Sequence, residues 1–558
     1  MRTLNVPRFC AVLVALNGTV NILSAWLAHH PARIALLKEI LPMIVIRGSW
    51  LAAVMAGSVQ LFLSFSLGRR KLLAWQITAA VLLLAAATSL LRGLHYGQAA
   101  VNFGLFLLLL ASRPHFTAAS DPPSVRHGLY IFLGTLLFTY LYGLGGFYLL
   151  DRHFHEHFDL LESSWQTLAF LAWISTPEVE HPTRLARWFL DSLAFLEAGG
   201  LTYGLSTLLR PVVYRRRVLP AERKRAKAIL EQYGHSSLAY LTLLPDKYYF
   251  FSDSGQSFAA YTLASNVAVV LGDPIGPDGD IPRLIAQFKI TCAKNDWHPV
   301  FYQVLPDYLP VYRDLGLKSL KIGEEAVVDV RNFSLAGSAR KSLRWSVNRL
   351  LRKGYTTKLL TPPLVDDVLR ELKEVSDEWL KLQPGREKRF SLGWFDPHYL
   401  RQCPVMVVID PEGKIQAFAN LIPEYRRNEG TVDLMRRRGK ESGFMDLLFV
   451  RLIEYFREQG YATFNLGLSP LAGVGNQMEA GVPEKVLNFY YRHFNQLYAF
   501  KGLRRFKEKF GPRWEPRYLI YTSPLFLPKI ALAITTANAG GNLLFTYLGA
   551  WWEKRRKK

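Results

Sequence analysis

Long apolar runs in the first 210 residues constrain the architecture of this chain most strongly. Each run approaches the ~20 residues that a helix needs to cross the ~30 Å hydrocarbon layer of a bilayer. The sequence therefore predicts an N-terminal multi-span α-helical membrane domain over 1–210, with the stretch 160–175 as a re-entrant or interfacial helix. The predicted spans are 8–28, 42–67, 72–91, 98–112, 128–150 and 188–209.

The charges of the loops predict an orientation for these spans. Arg69-Arg70-Lys71 lies between the second and third runs, Arg215-Arg216-Arg217 follows the sixth, and the 151–187 loop is rich in acidic residues. Because positive charge is retained on the cytoplasmic side, the N-terminus and everything after 210 are predicted to be cytoplasmic. Arg33 and Lys38 count against this orientation.

The chain is strongly basic, with a formal net charge of +23. An anionic partner is therefore expected, and both a cytoplasmic leaflet and RNA fit. The three cysteines are far apart and form no CxxC pair, which gives no support to a disulfide framework or a zinc site. The sequence contains no HExxH, GxSxG or Walker A motif, so metalloprotease, serine hydrolase and P-loop chemistry lose their usual signals.

Residues 211–236 form a predicted basic helical linker, after which strand-like and helical patterns alternate in two similar series. This predicts a tandem, acyltransferase-like (GNAT-like) α/β fold with subdomains over 237–360 and 361–522. Residues 523–558 are predicted to form an apolar interfacial helix with a basic tail. The predicted strands are Leu238–Leu244, Tyr248–Ser252, Ala259–Leu263, Val267–Leu271, Val300–Val304, Val327–Val330, 404–409, 415–422, 431–435 and 461–468, and the predicted helices are Pro282–Asn295, 364–381 and 444–459.

Three basic or mixed motifs are candidates for function. In Ala339–Gly354 the leucines and Val347 form an apolar helical face, while Arg340, Arg344 and Arg352 line another; this suits phosphate contact or a solvated surface helix. Lys501–Phe510 interleaves five cations with aromatic residues, which suits a phosphate-bearing substrate.

The third motif is Thr431–Arg436. Strand alternation is expected to send Val432 and Leu434 to one face, and Asp433 and Met435 to the other. A carboxylate followed by the Arg436 guanidinium suits binding of an ammonium group together with a phosphate or carbonyl oxygen. A purely structural Asp–Arg pair is the alternative.

The turn after this motif argues against coenzyme A. Acetyltransferases of the GNAT class cradle its pyrophosphate with Gln/Arg-x-x-Gly-x-Gly/Ala. Arg436 and Gly439 fit this pattern, but Glu441 stands where Gly or Ala is needed. Its carboxylate would repel the pyrophosphate, so no cofactor is predicted.

Taken together, the motifs across roughly 220–522 resemble the aminoacyl-phosphatidylglycerol synthases, the bacterial multiple peptide resistance factors. The segments that carry the resemblance are Leu271–Gly276, Lys321–Ala326, Ser376–Leu380, Phe390–Gly393, Ala417–Asn420, Val432–Arg436, Phe464–Gly467, Phe500–Phe510 and Trp514–Tyr518. Many members carry a larger membrane region that includes a flippase, whereas this chain has about six predicted spans.

The resemblance implies a multi-pass protein of the bacterial inner membrane whose cytoplasmic tandem GNAT-like domain takes an amino acid from aminoacyl-tRNA. The implied acceptor is the headgroup hydroxyl of phosphatidylglycerol, and the less anionic product gives resistance to cationic antimicrobial peptides. Lysine is favoured, alanine and arginine remain open, and a homo-oligomer is allowed. A membrane-tethered GNAT- or Fem-like transferase acting on another acceptor is the alternative.

The resemblance also implies roles for individual residues. Asp433 would bind the aminoacyl ammonium, and Arg436 would contact the donor or lipid phosphate. Lys501, Arg504 and Arg505 would hold the lipid phosphate, with Glu484 as a further site carboxylate. The tRNA contacts would come from Arg340, Arg344 and Arg352.

Overall fold

The chain divides into two compact units in a computed structural model. The first unit comprises the residues up to Val213 together with Ala293–Trp297, and the second comprises Tyr214–Cys292 and His298–Lys558. The structure describes residues 6–27, 43–118, 122–154, 157–171, 183–208, 218–382, 387–425, 428–439, 442–470 and 500–540.

The first unit is helical, and a helix lies at the position of each of the six predicted spans. Among the described residues, Val6–Ser24 and Leu72–Leu91 are long and apolar enough to cross a membrane. That the six runs span a membrane stays a prediction. The helices are α1 (Val6–Leu27), α2 (Met43–Gly68), α3 (Leu72–Gly93), α4 (Tyr96–Ala111), α5 (Pro122–Leu149), α6 (Leu160–Leu171) and α7 (Arg184–Leu208).

Helices α1, α2 and α4 pack around buried amide side chains. The Asn17 amide donates to Gln60 Oε1 at 3.0 Å and to Asn102 Oδ1 at 2.8 Å. A β-carbon at Gly18 of α1 would lie 2.7 Å from the carbonyl oxygen of Gly57 on α2. Helices α1 and α2 therefore cross where both have a glycine. Close backbone approach at small residues and amide hydrogen bonds between helices are typical of helix packing in membranes.

The second unit contains one eleven-stranded sheet with strand order β1-β2-β3-β4-β11-β5-β10-β9-β8-β7-β6. Its strands are β1 (Tyr248–Phe251), β2 (Phe258–Ala264), β3 (Val267–Leu271), β4 (His298–Val304), β5 (Lys318–Asp329), β6 (Thr356–Leu360), β7 (Val405–Ile409), β8 (Ile415–Ile422), β9 (Glu429–Arg437), β10 (Thr463–Pro470) and β11 (Arg513–Tyr521). Its helices are α8 (Pro220–Tyr233), α9 (Ile281–Lys294), α10 (Leu309–Asp314), α11 (Lys341–Arg352), α12 (Asp366–Leu382), α13 (Pro397–Arg401), α14 (Phe444–Glu458), α15 (Phe500–Glu508) and α16 (Leu527–Asn538).

The two halves of this sheet repeat one order of elements. In each half, three antiparallel strands are followed by a helix, a strand parallel to the third, a short helix and a last strand. This order occurs from β1 to β5, with helices α9 and α10, and again from β7 to β11, with helices α14 and α15. The two halves exchange their last strands: β11 of the second half pairs with β4 of the first, and β5 of the first half pairs with β10 of the second. The antiparallel β5–β11 pair at the centre joins the halves. The same order of elements therefore occurs twice along the second unit, although the exchange places β11 beside β4.

Most predicted elements lie within a few residues of the observed ones, but the strand predicted at Leu238–Leu244 is wrong. Tyr240–Leu243 forms a short 3₁₀-helix instead. Leu238, Leu241 and Leu244 are all buried. Their spacing of three residues is that of one 3₁₀ turn, so the helical turn places all three on one side.

The two faces of the second half of the sheet carry different helices. Alternate β7 residues face opposite ways: Met406 packs in a core with α11 and α14, and Val405 packs in a core with α12. On the first half, α16 packs its buried Leu527, Ile530 and Ala533 in one core with Val267 and other strand residues. Residues 541–558 of the predicted tail lie outside the described residues.

Candidate active site

A β-bulge in β9 determines where its polar side chains point. Ala419 of β8 pairs with Met435, and Leu421 pairs with Val432, so that Asp433 and Leu434 together lie opposite Asn420. The Leu434 N–H donates to Asn420 Oδ1 at 2.8 Å, which fixes the bulge. An extra residue of this kind bends a strand and re-aims its side chains.

The bulge overturns the alternation predicted for this strand. Val432 and Met435 both pack against the core with α14, whereas Leu434 packs in the core with α12. Val432 and Leu434 therefore lie on opposite faces. In a regular strand, residues three apart point to opposite faces. Because the bulge shifts this alternation by one residue, Asp433 and Arg436 both reach partners on the α12 side of the sheet.

The Asp433 carboxylate is buried and held by two donors. The Gly393 N–H donates to Oδ1 at 2.8 Å, and the Tyr399 hydroxyl donates to Oδ2 at 2.8 Å. The Asn420 amide in turn donates to the Tyr399 hydroxyl at 2.9 Å. Burial raises the pKa of Asp433 above its ordinary value, and the two hydrogen bonds oppose that rise. An incoming cation would stabilise the ionised form.

Lys247 supplies a cation to the same surroundings from the first half of the chain. Its ammonium donates to Asp246 Oδ1 at 2.6 Å and lies 5.3 Å from the centre of the Phe390 ring. Burial lowers the pKa of Lys247, while the charges of Asp246 and Asp433 raise it. Sequence reasoning missed Lys247, because it is far from Asp433 along the chain and no motif marks it.

Aromatic side chains form the other side of the Asp433 environment. The Tyr240 ring stacks on Tyr399 with centroids 6.1 Å apart, and Tyr302 and Trp394 pack against the same core. Burial raises the pKa of both Tyr240 and Tyr399, which keeps their hydroxyls protonated at neutral pH. A carboxylate beside neutral aromatic rings is suited to an ammonium group.

Arg436 is buried and already has partners. Its guanidinium donates to Ser376 on α12 and to Glu387, and it lies 5.3 Å from the centre of the Trp379 ring. Glu387 Oε1 also accepts from the Phe395 N–H at 2.7 Å. Arg436 therefore ties β9 to the loop 387–395, which contains Gly393. Its predicted contact with a phosphate stays a prediction.

The predicted lipid-binding cations lie on or beside α15. Lys501 is in the first turn of this helix, and Glu484 lies outside the described residues. Arg504 pairs with Glu508 at 3.0 Å and with Glu324 at 3.2 Å, and it covers the Trp514 ring at 4.4 Å. Arg505 is exposed.

Lys507 of the same helix points inward, which the sequence did not indicate. It is buried, and its ammonium donates to the carbonyl oxygens of Gly467 and Leu468 at 2.8 and 2.9 Å. Burial lowers its pKa to about 7, with the Glu325 charge opposing. β9 and β10 pair only from Glu429 to Thr431 and from Thr463 to Asn465. The two carbonyls therefore lie where β10 has separated from β9.

The three arginines predicted to contact tRNA have different surroundings. Arg340 stacks on Phe333 at 4.6 Å, and Arg344 donates to the carbonyl oxygens of Leu335 and Gly337, so both brace the loop before α11. Arg352 is exposed. Helix α11 packs in the α14 core, on the face opposite to the Asp433 partners.

The part of the chain that the structure describes contains no cluster of side chains suited to binding a metal ion. No group of three His, Cys, Asp or Glu side chains is placed there to hold an ion. The surroundings of Asp433 contain instead two cations with their carboxylate partners Asp246 and Glu387, together with hydroxyls and aromatic rings.

A family model described as phosphatidylglycerol lysyltransferase, C-terminal, matches residues 227–521, a little over half of the chain. The chain belongs to this family. The matched region contains the whole eleven-stranded sheet, and with it Asp433, Arg436 and α15.

Curated members of the phosphatidylglycerol lysyltransferase family are similar over the same region. The protein of that name from Bacillus subtilis (strain 168) is 39% identical over 319 residues, which is 56% of this chain and 37% of the relative. The one from Staphylococcus aureus (strain N315) is 34% identical over 294 residues, covering 52% of this chain and 35% of the relative. The match thus spans about a third of the length of these relatives.

Two solved structures, each at least 37% identical, share the α/β fold of the C-terminal region and confirm that it resembles lysylphosphatidylglycerol synthases. L-PGS from Bacillus licheniformis is 38% identical with a TM-score of 0.52, over 56% of this chain and 95% of that chain. The C-terminal domain of a putative lysylphosphatidylglycerol synthetase from Agrobacterium fabrum is 37% identical with a TM-score of 0.52, over 57% and 98% of the two chains.

Proposed function

We propose that this chain transfers an amino acid, lysine in the first instance, from aminoacyl-tRNA to the headgroup hydroxyl of phosphatidylglycerol. The names of its relatives support the lysyl group and the lipid acceptor. The structural observation that carries the proposal is the buried Asp433 carboxylate, which has a fixed orientation and aromatic neighbours. A carboxylate of this kind is suited to the ammonium group that every aminoacyl ester carries.

The reaction needs positioning more than a reactive enzyme group. The lipid hydroxyl oxygen forms a bond to the ester carbonyl carbon, the bond to the tRNA ribose oxygen breaks, and the hydroxyl proton passes to that leaving oxygen. The donor is already activated, so neither a cofactor nor a covalent enzyme intermediate is required. Holding the ester by its ammonium on Asp433 supplies the alignment that such a step demands.

The two parts of the tRNA donor, its body and its charged end, would use opposite faces of the sheet. Arg340, Arg344 and Arg352 belong to the α11 region, whereas Asp433 reaches partners on the α12 side. The sheet opens between β9 and β10 beyond Thr431 and Asn465, because their pairing ends there. We propose that tRNA approaches from the α11 face and that its charged terminus reaches Asp433 through this opening.

The lipid phosphate is assigned to the cations of α15. Lys501, Arg504 and Arg505 are proposed to hold it, with Glu484 as a further carboxylate of the site. Arg504 is paired with Glu324 and Glu508 in the free protein. Lipid phosphate would therefore have to compete with these two carboxylates. Addition of a lysyl group makes the lipid less anionic, which would lower the attraction of cationic antimicrobial peptides to the membrane.

The membrane arrangement completes the proposal. The first unit would be a multi-pass domain of the bacterial inner membrane, with the second unit in the cytoplasm, where aminoacyl-tRNA is made. Two apolar helical stretches support membrane insertion, and the basic turn at Arg69-Arg70-Lys71 supports the orientation. Self-association and movement of the product lipid between leaflets are further proposals for this unit.

The test uses the full chain in phosphatidylglycerol liposomes with lysyl-tRNA, and mass spectrometry of the extracted lipids. Lysyl-phosphatidylglycerol is expected from the wild type and should be lost after ribonuclease treatment. Asp433→Asn should abolish it, whereas Asp367→Asn, which changes an exposed aspartate on α12, should not. Product that survives ribonuclease would overturn the tRNA donor, and a fully active Asp433→Asn would overturn the site.

A further inference from the structure

Helix α16 presents two different apolar faces. Leu527, Ile530 and Ala533 are buried against the sheet. Leu525, just before the helix, is 78% exposed, and Leu532 is 56% exposed. Pro528 is exposed between them. Residues at these spacings share one side of a helix, so an apolar strip faces outward while the opposite side holds the helix in place.

The C-terminal end of this helix is joined to the loop that positions Asp433. The Asn538 carbonyl accepts from the Arg389 N–H at 2.8 Å, and its side-chain oxygen accepts from the Ser391 hydroxyl at 3.0 Å. Leu392 follows and is exposed. Gly393 comes next and donates to Asp433. The C-terminal end of α16 is therefore joined by two hydrogen bonds to the loop whose Gly393 donates to Asp433.

We propose that Leu392, Leu525, Pro528 and Leu532 form a docking face that rests in the surface of an anionic bilayer. The docking face would set Asp433 beside the layer from which a lipid acceptor enters. Leu525, Pro528 and Leu532 lie beyond residue 521, where the family match ends. The proposal rests on the proposed function in one respect, namely that the acceptor is a lipid.

Charge and chain continuity identify a bilayer as the occupant. Residues 522–540 contain Lys529 and no acidic residue, so an anionic surface meets no repelling charge on this helix. The sequence then continues through Trp551-Trp552 to the cations of Lys554–Lys558, with Glu553 as the acid in that stretch. Aromatic residues next to a cluster of cations are typical of segments held at an anionic membrane surface.

The test places an environment-sensitive fluorophore on the docking face of the full chain. Leu532→Cys would be labelled and the protein reconstituted in liposomes of phosphatidylcholine and phosphatidylglycerol with brominated acyl chains. The native Cys10, Cys292 and Cys403 are buried, which favours selective labelling. We expect bromine to cause a loss of fluorescence at 532. The same probe at Asn348→Cys, exposed on the opposite α11 face, should keep its fluorescence.

Two results would overturn the docking face. One is equal fluorescence with and without brominated lipid. The other is a blue-shifted probe that bromine does not quench, since this would indicate that protein, such as residues 541–558 or a partner, covers the strip. Pro528→Cys provides a second position if the first variant does not fold. The readout requires no transfer activity, so an inactive or differently specific enzyme would leave the quenching result unaffected.

Discussion

The backbone N–H of Gly393 lies 2.8 Å from one oxygen of Asp433, and a β-carbon at Gly393 would lie 1.9 Å from the other. The carboxylate thus occupies the space that a side chain at residue 393 would need. The same β-carbon would lie 2.9 Å from the Tyr399 ring. Glycine at this position is a requirement of the site, because both donors to Asp433 approach it here.

Gly393→Ala is therefore expected to remove most of the transfer activity without unfolding the protein. The methyl group must displace the carboxylate, and a shift of this size at a positioning group costs roughly 10²-fold in rate. Steady-state kinetics of lysyl transfer would measure the loss. Gly279→Ala is the matched control, since nothing lies within 4 Å of a β-carbon there. Activity of Gly393→Ala within twofold of wild type would contradict this geometry.

The second prediction separates two roles for Arg436. If Arg436 acts by holding Glu387 and the loop 387–395, Arg436→Met and Glu387→Gln should impair transfer by similar factors. The double variant should then be no worse than the poorer single variant, because both changes break one connection.

A direct contact between Arg436 and a phosphate gives a different pattern. The double variant would then fall well below either single variant, since a substrate contact and a loop contact are lost separately. Measurement of kcat/KM for the four proteins decides between the patterns. Arg451→Met with Glu454→Gln, an ion pair on the surface of α14, is the matched control and should change transfer little.

The third prediction concerns the ion pair at the centre of the sheet. The side chains of Arg517 and Glu325 are each 1% exposed, and the Arg517 guanidinium donates a hydrogen bond to the Glu325 carboxylate. Ser237 and Asn465 also donate to this carboxylate. Arg517→Met would leave a buried carboxylate without its cation, which typically costs about 3–5 kcal/mol of unfolding free energy.

The double variant Arg517→Met with Glu325→Gln should recover much of that loss, because the buried carboxylate that Arg517 balanced is then also gone. Denaturant titration of the full chain in detergent, followed by tryptophan fluorescence, would measure both. The exposed pair Arg370–Asp367 serves as control, and its loss should change the unfolding free energy little, because exposed ion pairs are screened by solvent. A double variant as unstable as Arg517→Met alone would show that the charge is not the cause.

The sequence predicted the regular apolar strands and helices of the second unit well, but it did not predict β11, which lies near the centre of the sheet. Val267–Leu271 is a continuous β-branched and aliphatic run, and it forms β3 with the predicted ends. β11 was missed because it contains charged residues and Pro516, which are depleted from central strands. Those charges are satisfied by contacts such as Arg517 with Glu325, which come from distant parts of the chain.

The candidate site shows the same limit. The Thr431–Arg436 motif was expected on a strand and lies on β9, but strict alternation cannot anticipate the bulge opposite Asn420. Gly393 was quoted for the family resemblance without a role, because its importance depends on one close approach in space. Lys507 was counted with the surface cations, since spacing alone does not show that α15 turns this residue toward β10.

The last prediction uses the buried Lys507. Its pKa of about 7 lies below the ordinary value of 10.5. Between these pH values the unfolded chain holds a proton that the folded chain has released, so this group makes the protein more stable as pH rises from about 7 to 10.5. Lys507→Met should lack that rise, which amounts to ~1.4 kcal/mol per pH unit at most. Comparing the unfolding free energies of wild type and variant at several pH values measures it. Lys509→Met, which removes a more exposed lysine of the same segment that pairs with Asp446 at 2.9 Å, is the matched control. A Lys507→Met difference that does not change with pH would contradict the lowered pKa.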